Sequence, residues 1–387
     1  MKRIIPNQFL FLAVICMLAS FSSGRAQDPT DFEFDGYLSN MQRVMFEKWD
    51  QNWWTENQIH NRLNFEYHIT SNLSFDLEVR NRLIYGDFVK TIPGYDRLIG
   101  SETGWVDMSW LLANKPSFLI HTTIDRLYLD YMVGKFQFRA GRQRINWGQS
   151  LVWNPNDVFN AYSYFDFDYV EKPGSDAMRI QYYTGVSSVL DVSAKIDSSR
   201  KVTAAARYQF SLFNYDIQFM GGLFQDDDLI LGAGWSGNIK GAAFRGELTW
   251  FHSTDNAHKE EVMLTVSGDY TFPNSLYIGL EYLFSNIEYG DFNFGEYYFM
   301  PMNVKNIAFT DHSIFAQVSY PFTPLFTGQL AGMYFPSERG FYIGPSFDLS
   351  ILDNLTLSFI FQHFQGRFGG DATSKTTLGF LRLKWNF

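Results

Sequence analysis

The chain has 387 residues, 46% of them hydrophobic and 18% aromatic, with 31 Lys and Arg set against 41 Asp and Glu. A net charge of −10 disfavours nucleic acid, whose binding relies on cationic surface. A single cysteine excludes a disulfide framework and a zinc–thiolate site, and no apolar run after Ala26 approaches the roughly 20 residues of a membrane helix.

The N-terminus reads as a targeting segment. Lys2 and Arg3 precede an unbroken apolar run from Phe9 to Ala19, too short to span a bilayer. Gly24-Arg25-Ala26 then places small residues at a cleavage site before Gln27. The expected organisation is a signal peptide at 1–26 and one barrel domain at 27–387. Cys16 lies in the apolar run behind bulky Ile15, poorly placed for lipidation, so the mature chain would have no cysteine. Cleavage removes Lys2, Arg3 and Arg25, leaving 28 cations against 41 acids, a net charge of −13.

From Phe32 onward the chain repeats one pattern, about ten alternating residues and then a break. In 73–85, Leu73, Phe75, Leu77, Val79 and Leu83 oppose Ser74, Asp76, Glu78, Arg80 and Arg82. Such alternation puts the two sets on opposite faces of a strand. Eighteen segments fit, near 31–46, 57–70, 73–85, 120–133, 135–147, 176–185, 188–197, 201–211, 213–224, 228–238, 239–252, 260–271, 275–287, 311–322, 324–336, 340–351, 354–366 and 374–386. Those in 213–238 and 324–336 alternate least cleanly, so sixteen strands also fit.

The joints alternate too. Ser71-Asn72, Gly134, Gly185–Ser187, Leu212, Asn238, Pro273-Asn274, Pro321–Thr323 and Leu352-Asp353 are tight, whereas 47–56, 86–119, 148–175 and 288–310 are long and occupy only the other parity. Short periplasmic turns and long external loops define an all-β, transmembrane, antiparallel up-and-down barrel of about 16–18 strands. Aromatics at strand ends suit interfacial girdles: Tyr270, Phe272, Tyr320, Phe322 and Trp385 inside, Tyr85, Trp147 and Trp250 outside.

A barrel of this size leaves an aqueous lumen. Alternation turns Arg62, Arg80, Arg82, Arg126, Arg139, Arg179, Arg207, Arg245 and Arg382 toward it. They serve either a permeation path or a stiffening salt-bridge network with Glu66, Asp76, Glu78 and Asp130. In Gly141–Gly148, strict alternation would turn Arg142 and Arg144 toward lipid, at a cost of roughly 2–4 kcal/mol each at the midplane. A bulge at Gly141 that flips the phase is expected; otherwise the stretch has already left the membrane.

Loop 148–175 carries Tyr162, Tyr164, Phe165, Phe167 and Tyr169, too many aromatics for a solvated tip. It is expected to fold into the barrel and set its acids against wall arginines. The expected pore-lining residues are Arg80, Arg82, Arg126, Arg139, Arg142, Arg144 and Arg179 on the wall, with Asp157, Asp166, Asp168 and Glu171 on the loop.

Gly141-Arg142-Gln143, Asn146-Trp147-Gly148, Asn154-Pro155, Asp157 and Pro173-Gly174 together resemble an element of porin-like outer-membrane proteins of poorly defined function. In those proteins it likewise runs from a strand into an external loop. The resemblance spans about 35 residues, 141–174, and implies the porin-like class without naming a substrate.

No catalytic residue, metal site or cofactor is expected. The seven histidines (60, 68, 121, 252, 258, 312 and 363) lack paired metal spacing, and no Gly-x-Ser-x-Gly elbow occurs. Asp226-Asp227-Asp228 reads as a solvated turn rather than a weak calcium site. At the C-terminus Leu381, Leu383, Trp385 and Phe387 share a face, like the terminal signal of outer-membrane barrels, so Leu383, Trp385 and Phe387 are the expected targeting residues.

Expected partners are outer-membrane lipid, the barrel-insertion machinery and small solutes; an oligomer stays open. The functional reading is a porin-like channel for small polar or anionic solutes. A loop-closed barrel with a surface or assembly role is the alternative, and an outer-membrane hydrolase the weakest one.

Overall fold

Period-two alternation gives each strand one apolar and one polar face, and closing the sheet gives those faces an outside and an inside. The computed structural model describes residues 31–50, 53–169, 171–255, 257–288, 300–367 and 373–387. The expected signal peptide at 1–26 and part of the 288–310 joint lie outside these described residues.

Among them, β1 (Phe32–Phe46), β2 (Trp54–Thr70), β3 (Leu73–Gly86), β4 (Ser109–Lys115), β5 (Phe118–Val133), β6 (Phe136–Gln143), β7 (Ser175–Tyr183), β8 (Val189–Ile196), β9 (Val202–Leu212) and β10 (Tyr215–Phe224) form the first half of one sheet. The second half is β11 (Asp228–Ile239), β12 (Ala242–Ser253), β13 (Glu261–Thr271), β14 (Tyr277–Ser285), β15 (His312–Thr323), β16 (Phe326–Phe335), β17 (Gly340–Leu352), β18 (Leu355–Gly366) and β19 (Ser374–Asn386). Sequential strands pair antiparallel, β3 pairs directly with β5, and β19 pairs back onto β1. Leaving out β4, eighteen strands close the ring, each on one of the alternating segments read from the sequence.

Met178, Leu231 and Leu280 stand 70%, 59% and 56% exposed on the outer face, while Ile230 and Glu281 beside them are buried inside. An apolar belt of that extent needs lipid as its solvent. Turns at one rim are tight. Phe213-Asn214 (φ 52° and 63°) and Lys240-Gly241 (φ 52° and 93°) have the double positive φ of two-residue hairpin turns.

Three expectations on strand and loop geometry are corrected. β6 ends at Gln143, four residues earlier than its alternation suggests, because the chain there turns into the barrel. Trp147 therefore never reaches a girdle and is wholly buried in the interior. The phase-flipping bulge lies not at Gly141 but on β5. The β3–β5 register steps from Glu78↔Arg126 to Val79↔Ile124, so Asp125 is the extra residue and both Asp125 and Arg126 are buried. The β6 ladders run unbroken through Gly141. Its φ of +122° and the Leu127 carbonyl against its α-carbon explain the glycine instead. Arg142 is buried and is neutralised by Asp176 and Glu102.

β4 is an addition. It hydrogen-bonds the outer part of β5, Phe118–Thr123, beyond the point where β6 has left the wall. Its sequence, Ser-Trp-Leu-Leu-Ala-Asn-Lys, does not alternate cleanly and gave no strand signal.

Candidate functional site

The stems of the loop that follows β6 are tied by one side chain. Asn160 accepts the Ile145 N–H at 2.8 Å and donates to the Pro173 carbonyl at 2.9 Å and the Ser175 hydroxyl at 3.0 Å. Gly148 leaves room for the Asn154 side chain, and Gly174 for the Asp125 carbonyl; a Cβ at either would collide. These contacts explain why the 141–174 element needs those glycines and asparagines.

Between its stems the loop circles the interior wall. Trp147 Nε1 donates to Asp191 on β8 at 3.1 Å, and Gln218 on β10 donates to the Trp147 carbonyl at 2.8 Å. Asn156 donates to the Ala233 carbonyl on β11 at 2.9 Å and accepts from Thr249 on β12 at 2.7 Å. Two buried carboxylates then hold the backbone. Glu247 on β12 accepts the N–H groups of Gln149, Ser150 and Asn156 at 2.5, 2.7 and 2.9 Å. Glu281 on β14 accepts those of Leu151, Val152 and Trp153 at 2.7, 3.0 and 2.7 Å. Farther round, Tyr164 packs on Phe315 of β15, Phe165 on Tyr342 and Phe364 of β17 and β18, and Phe167 on Phe380 of β19.

The last third of the loop is polar and meets β1, β2, β3 and β5. Asp168 accepts from Gln58 at 2.5 Å and lies 3.3 Å from His60 Nδ1. Glu171 accepts from the Tyr37 hydroxyl at 3.2 Å and stands 3.9 Å from Arg62. Arg126 donates to the carbonyls of Glu171 and Lys172 at 2.7 and 2.8 Å. Arg80 donates to His60 at 3.2 Å and lies on the Tyr169 ring.

The expected pore-lining residues therefore divide. Arg80, Arg126 and Arg144 touch the loop, and Arg82 opens onto a cavity beside Asp166. Arg139 instead pairs with Asp130, its Nε at 2.8 Å, and Arg179 with Asp191 at 2.5 Å. Arg142 and Asp157 are buried, as are Arg80 and Arg126. Asp157 sits 3.9 Å from Arg144, and burial pushes its carboxyl up against the opposing pull of that arginine. The salt-bridge role holds for the pairs Arg62–Glu78, Arg139–Asp130 and Arg245–Asp269. Sequence reasoning missed Glu247, Glu281, Asp191, His60, Gln58 and Asp125. Each is one inward polar residue among many.

A second inward segment, 300–311, shares this interior. It buries Val304, Ile307, Ala308 and Phe309 in the apolar cluster that also holds Trp153, Phe165, Phe251 and Phe315. Lys305 fastens it to Asp228 and Glu261 at 2.7 and 2.6 Å, so Asp228 serves an ion-pair cluster. This packing occupies the interior against β12 and β15. The interior holds a cavity of about 590 Å³ lined by Arg80, Arg82, Asp166, Tyr169, Lys172 and Lys195 among others. Burial, with Arg144 nearby, depresses the Lys172 ammonium to about 7. Among the described residues no cluster of metal ligands occurs.

The family model described as a protein of unknown function, DUF1302, matches residues 124–348, more than half of the chain. No curated protein matches. The fold is shared with solved structures at low identity. OccAB4 of Acinetobacter baumannii is 9% identical with a TM-score of 0.60, covering 93% of this chain and 100% of its own. The outer membrane protein OpdK of Pseudomonas aeruginosa is 9% identical with a TM-score of 0.59, covering 92% and 98%. OccAB1 of A. baumannii is 11% identical with a TM-score of 0.58, covering 95% and 99%.

Proposed function

This chain belongs to the DUF1302 family, and from its geometry we propose that it is a non-enzymatic, porin-like channel of the outer membrane for small polar or anionic solutes. The observation that carries this reading is the asymmetry of the inward loop. Its first two thirds are packed or hydrogen-bonded against β8–β19, and its last third lies against Arg80 and Arg126. Permeation runs on the β1–β9 side, past Arg80, Arg82 and Lys172, with Asp166 in the same cavity and Asp168 and Glu171 nearby on the loop as the opposing acids. A fixed transverse field of this kind favours charged and polar solutes over apolar ones. The short-turn rim faces the periplasm, lipid surrounds the apolar belt, and the insertion machinery reads Leu383, Trp385 and Phe387.

Planar-bilayer recording of the purified protein tests this. Stable single-channel steps with anion preference are expected, and removal of 156–170 should raise conductance severalfold. Equal conductance and selectivity after the deletion would place the loop outside the path. A second reading has its own support, since two loop segments share one apolar core inside the barrel. A closed barrel with an assembly or surface role predicts no conductance in the intact chain and a pore only after the deletion.

A further inference from the structure

One stretch of the barrel wall is not made by a continuous ladder. β6 is last paired to β5 at Leu127↔Arg142 and to β7 at Gln143↔Ser175, yet β5 continues outward to Phe118. Above the end of β6 the wall consists of β4 and the segment 101–108. That segment meets the far side through the isolated bridge Gly104↔Asp197 and the Ser198 N–H on the Thr103 carbonyl at 3.1 Å. It is held chiefly by one side chain. Arg142 binds Asp176 at 2.7 Å, Glu102 at 2.8 Å and the Val106 carbonyl at 2.6 Å, while the Val106 N–H returns to Asp176 at 2.8 Å.

The two faces of this patch differ. Outside, Trp105, Trp110 and Leu112 are 58%, 47% and 67% exposed. Inside, Gly104 and Arg142 line the 590 Å³ cavity. That cavity lies within the size range of small-molecule sites, about 300–1,000 Å³. Its lining is mixed, with Arg82 and Lys172 beside Ile99, Ile124, Met300 and Met302.

We propose that the cavity binds a single-chain amphiphile with an anionic head, entering sideways from the outer leaflet through the 101–108 patch. The head lies against Arg82 and Lys172 and the chain against the apolar lining. Glu102 and Asp176 together hold Arg142 and set how readily the patch loosens. This site does not depend on the barrel conducting solutes.

The patch can be locked. Thr103 and Ser198 stand opposite each other across an antiparallel bridge, where α-carbons are about 4.5–5.5 Å apart, within disulfide reach. The sole cysteine, Cys16, lies in the expected signal peptide, so a Thr103→Cys/Ser198→Cys pair has no competing thiol in the mature chain. The probe is decanoate carrying a terminal diazirine, dissolved in proteoliposomes, with adducts mapped by mass spectrometry. Wild type should label at 158–163 and 300–303. Oxidising the pair should cut that labelling severalfold, and reduction should restore it, with the short water-soluble diazirine butyrate unaffected by either. Glu102→Gln, which loosens the patch without a lock, should raise decanoate labelling. Equal labelling with the lock closed, no cavity adducts in wild type, or unchanged labelling in Glu102→Gln would each overturn the proposal.

Discussion

The guanidinium of Arg80 lies 3.9 Å from the centre of the Tyr169 ring, so a wall cation meets the inward loop face to face. Its other partner is His60 rather than a carboxylate, and Arg82 beside it holds the Ile99 carbonyl and His121. Among the described residues, neither charge is met by a touching carboxylate, unlike that of Arg139 on Asp130. An Arg80→Ala/Arg82→Ala variant should shift the reversal potential in a salt gradient toward cations and lower anion current severalfold. Arg139→Ala should move selectivity much less. Equal shifts for the two variants would remove Arg80 and Arg82 from the path.

Glu247 and Glu281 hold the loop against the wall opposite those arginines. Each accepts three backbone N–H groups, and an intramolecular hydrogen bond is worth about 0.5–1.5 kcal/mol net. Burying the carboxylates offsets part of that gain. Glu281→Ala leaves the N–H groups of Leu151 to Trp153 without that acceptor, and stability should fall by at least about 1–3 kcal/mol, the cost of a buried donor left unsatisfied. The loop should then fluctuate, giving noisier and larger single-channel steps and a lower heat-modification temperature on gels. Wild-type values in both assays would show that the apolar contacts alone fix the loop.

Lys172 supplies a pH dependence. Its ammonium is depressed to about 7 from an ordinary value near 10.5, first by burial and then by Arg144. Below pH 7 the side chain is charged and adds to the cationic side of the path; above it that charge is lost. Anion preference should fall between about pH 6 and 8, and Lys172→Met should flatten that change. The linkage sign is the reverse of a stabilising pair. The folded state binds this proton more weakly than the unfolded one, so the Lys172 contribution to stability improves as pH rises from about 7 toward 10.5. A pH profile identical in wild type and Lys172→Met would take this residue out of the path.

The wall was legible because alternation reports it directly. Every segment from 31–46 to 374–386 became a wall strand, and long joints stayed on one rim. The inward course of loop 148–175 was legible from its aromatics, which need a burial partner. Its anchors were not. Glu247 and Glu281 occupy inward strand positions where a lumen-facing acid looks the same in sequence. Only the path of a distant backbone makes them acceptors. Trp147 misled for a related reason: a tryptophan at a strand end suits a girdle, and nothing local signals that β6 stops at Gln143. Asp125 could not be picked out because a bulge on β5 leaves the alternation around it merely shifted.

Phe387 closes the ring as well as ending the chain. Its N–H donates to the Gly36 carbonyl, and its carbonyl accepts the Gly36 N–H, both at 3.0 Å. Its ring lies 5.8 Å from that of Phe34 and 5.2 Å from that of Trp385. Gly36 is needed at the opposing position, since a Cβ there would strike the Arg62 carbonyl and crowd the Phe387 ring. Deleting Phe387 removes two backbone bonds at the β1–β19 seam, each worth about 0.5–1.5 kcal/mol net, along with the aromatic contact. A seam that already has ten paired positions from Tyr37↔Asn386 to Phe46↔Thr377 should survive this once formed. Purified, refolded deletion protein should therefore lose only a little thermal stability. Assembly in cells should suffer far more if the terminal aromatic is read during insertion. The expected result is near-normal refolding in detergent with a severalfold loss of heat-modifiable barrel in the outer membrane. Equal losses in both settings would assign Phe387 a purely structural role, and no loss in cells would end its role as a signal.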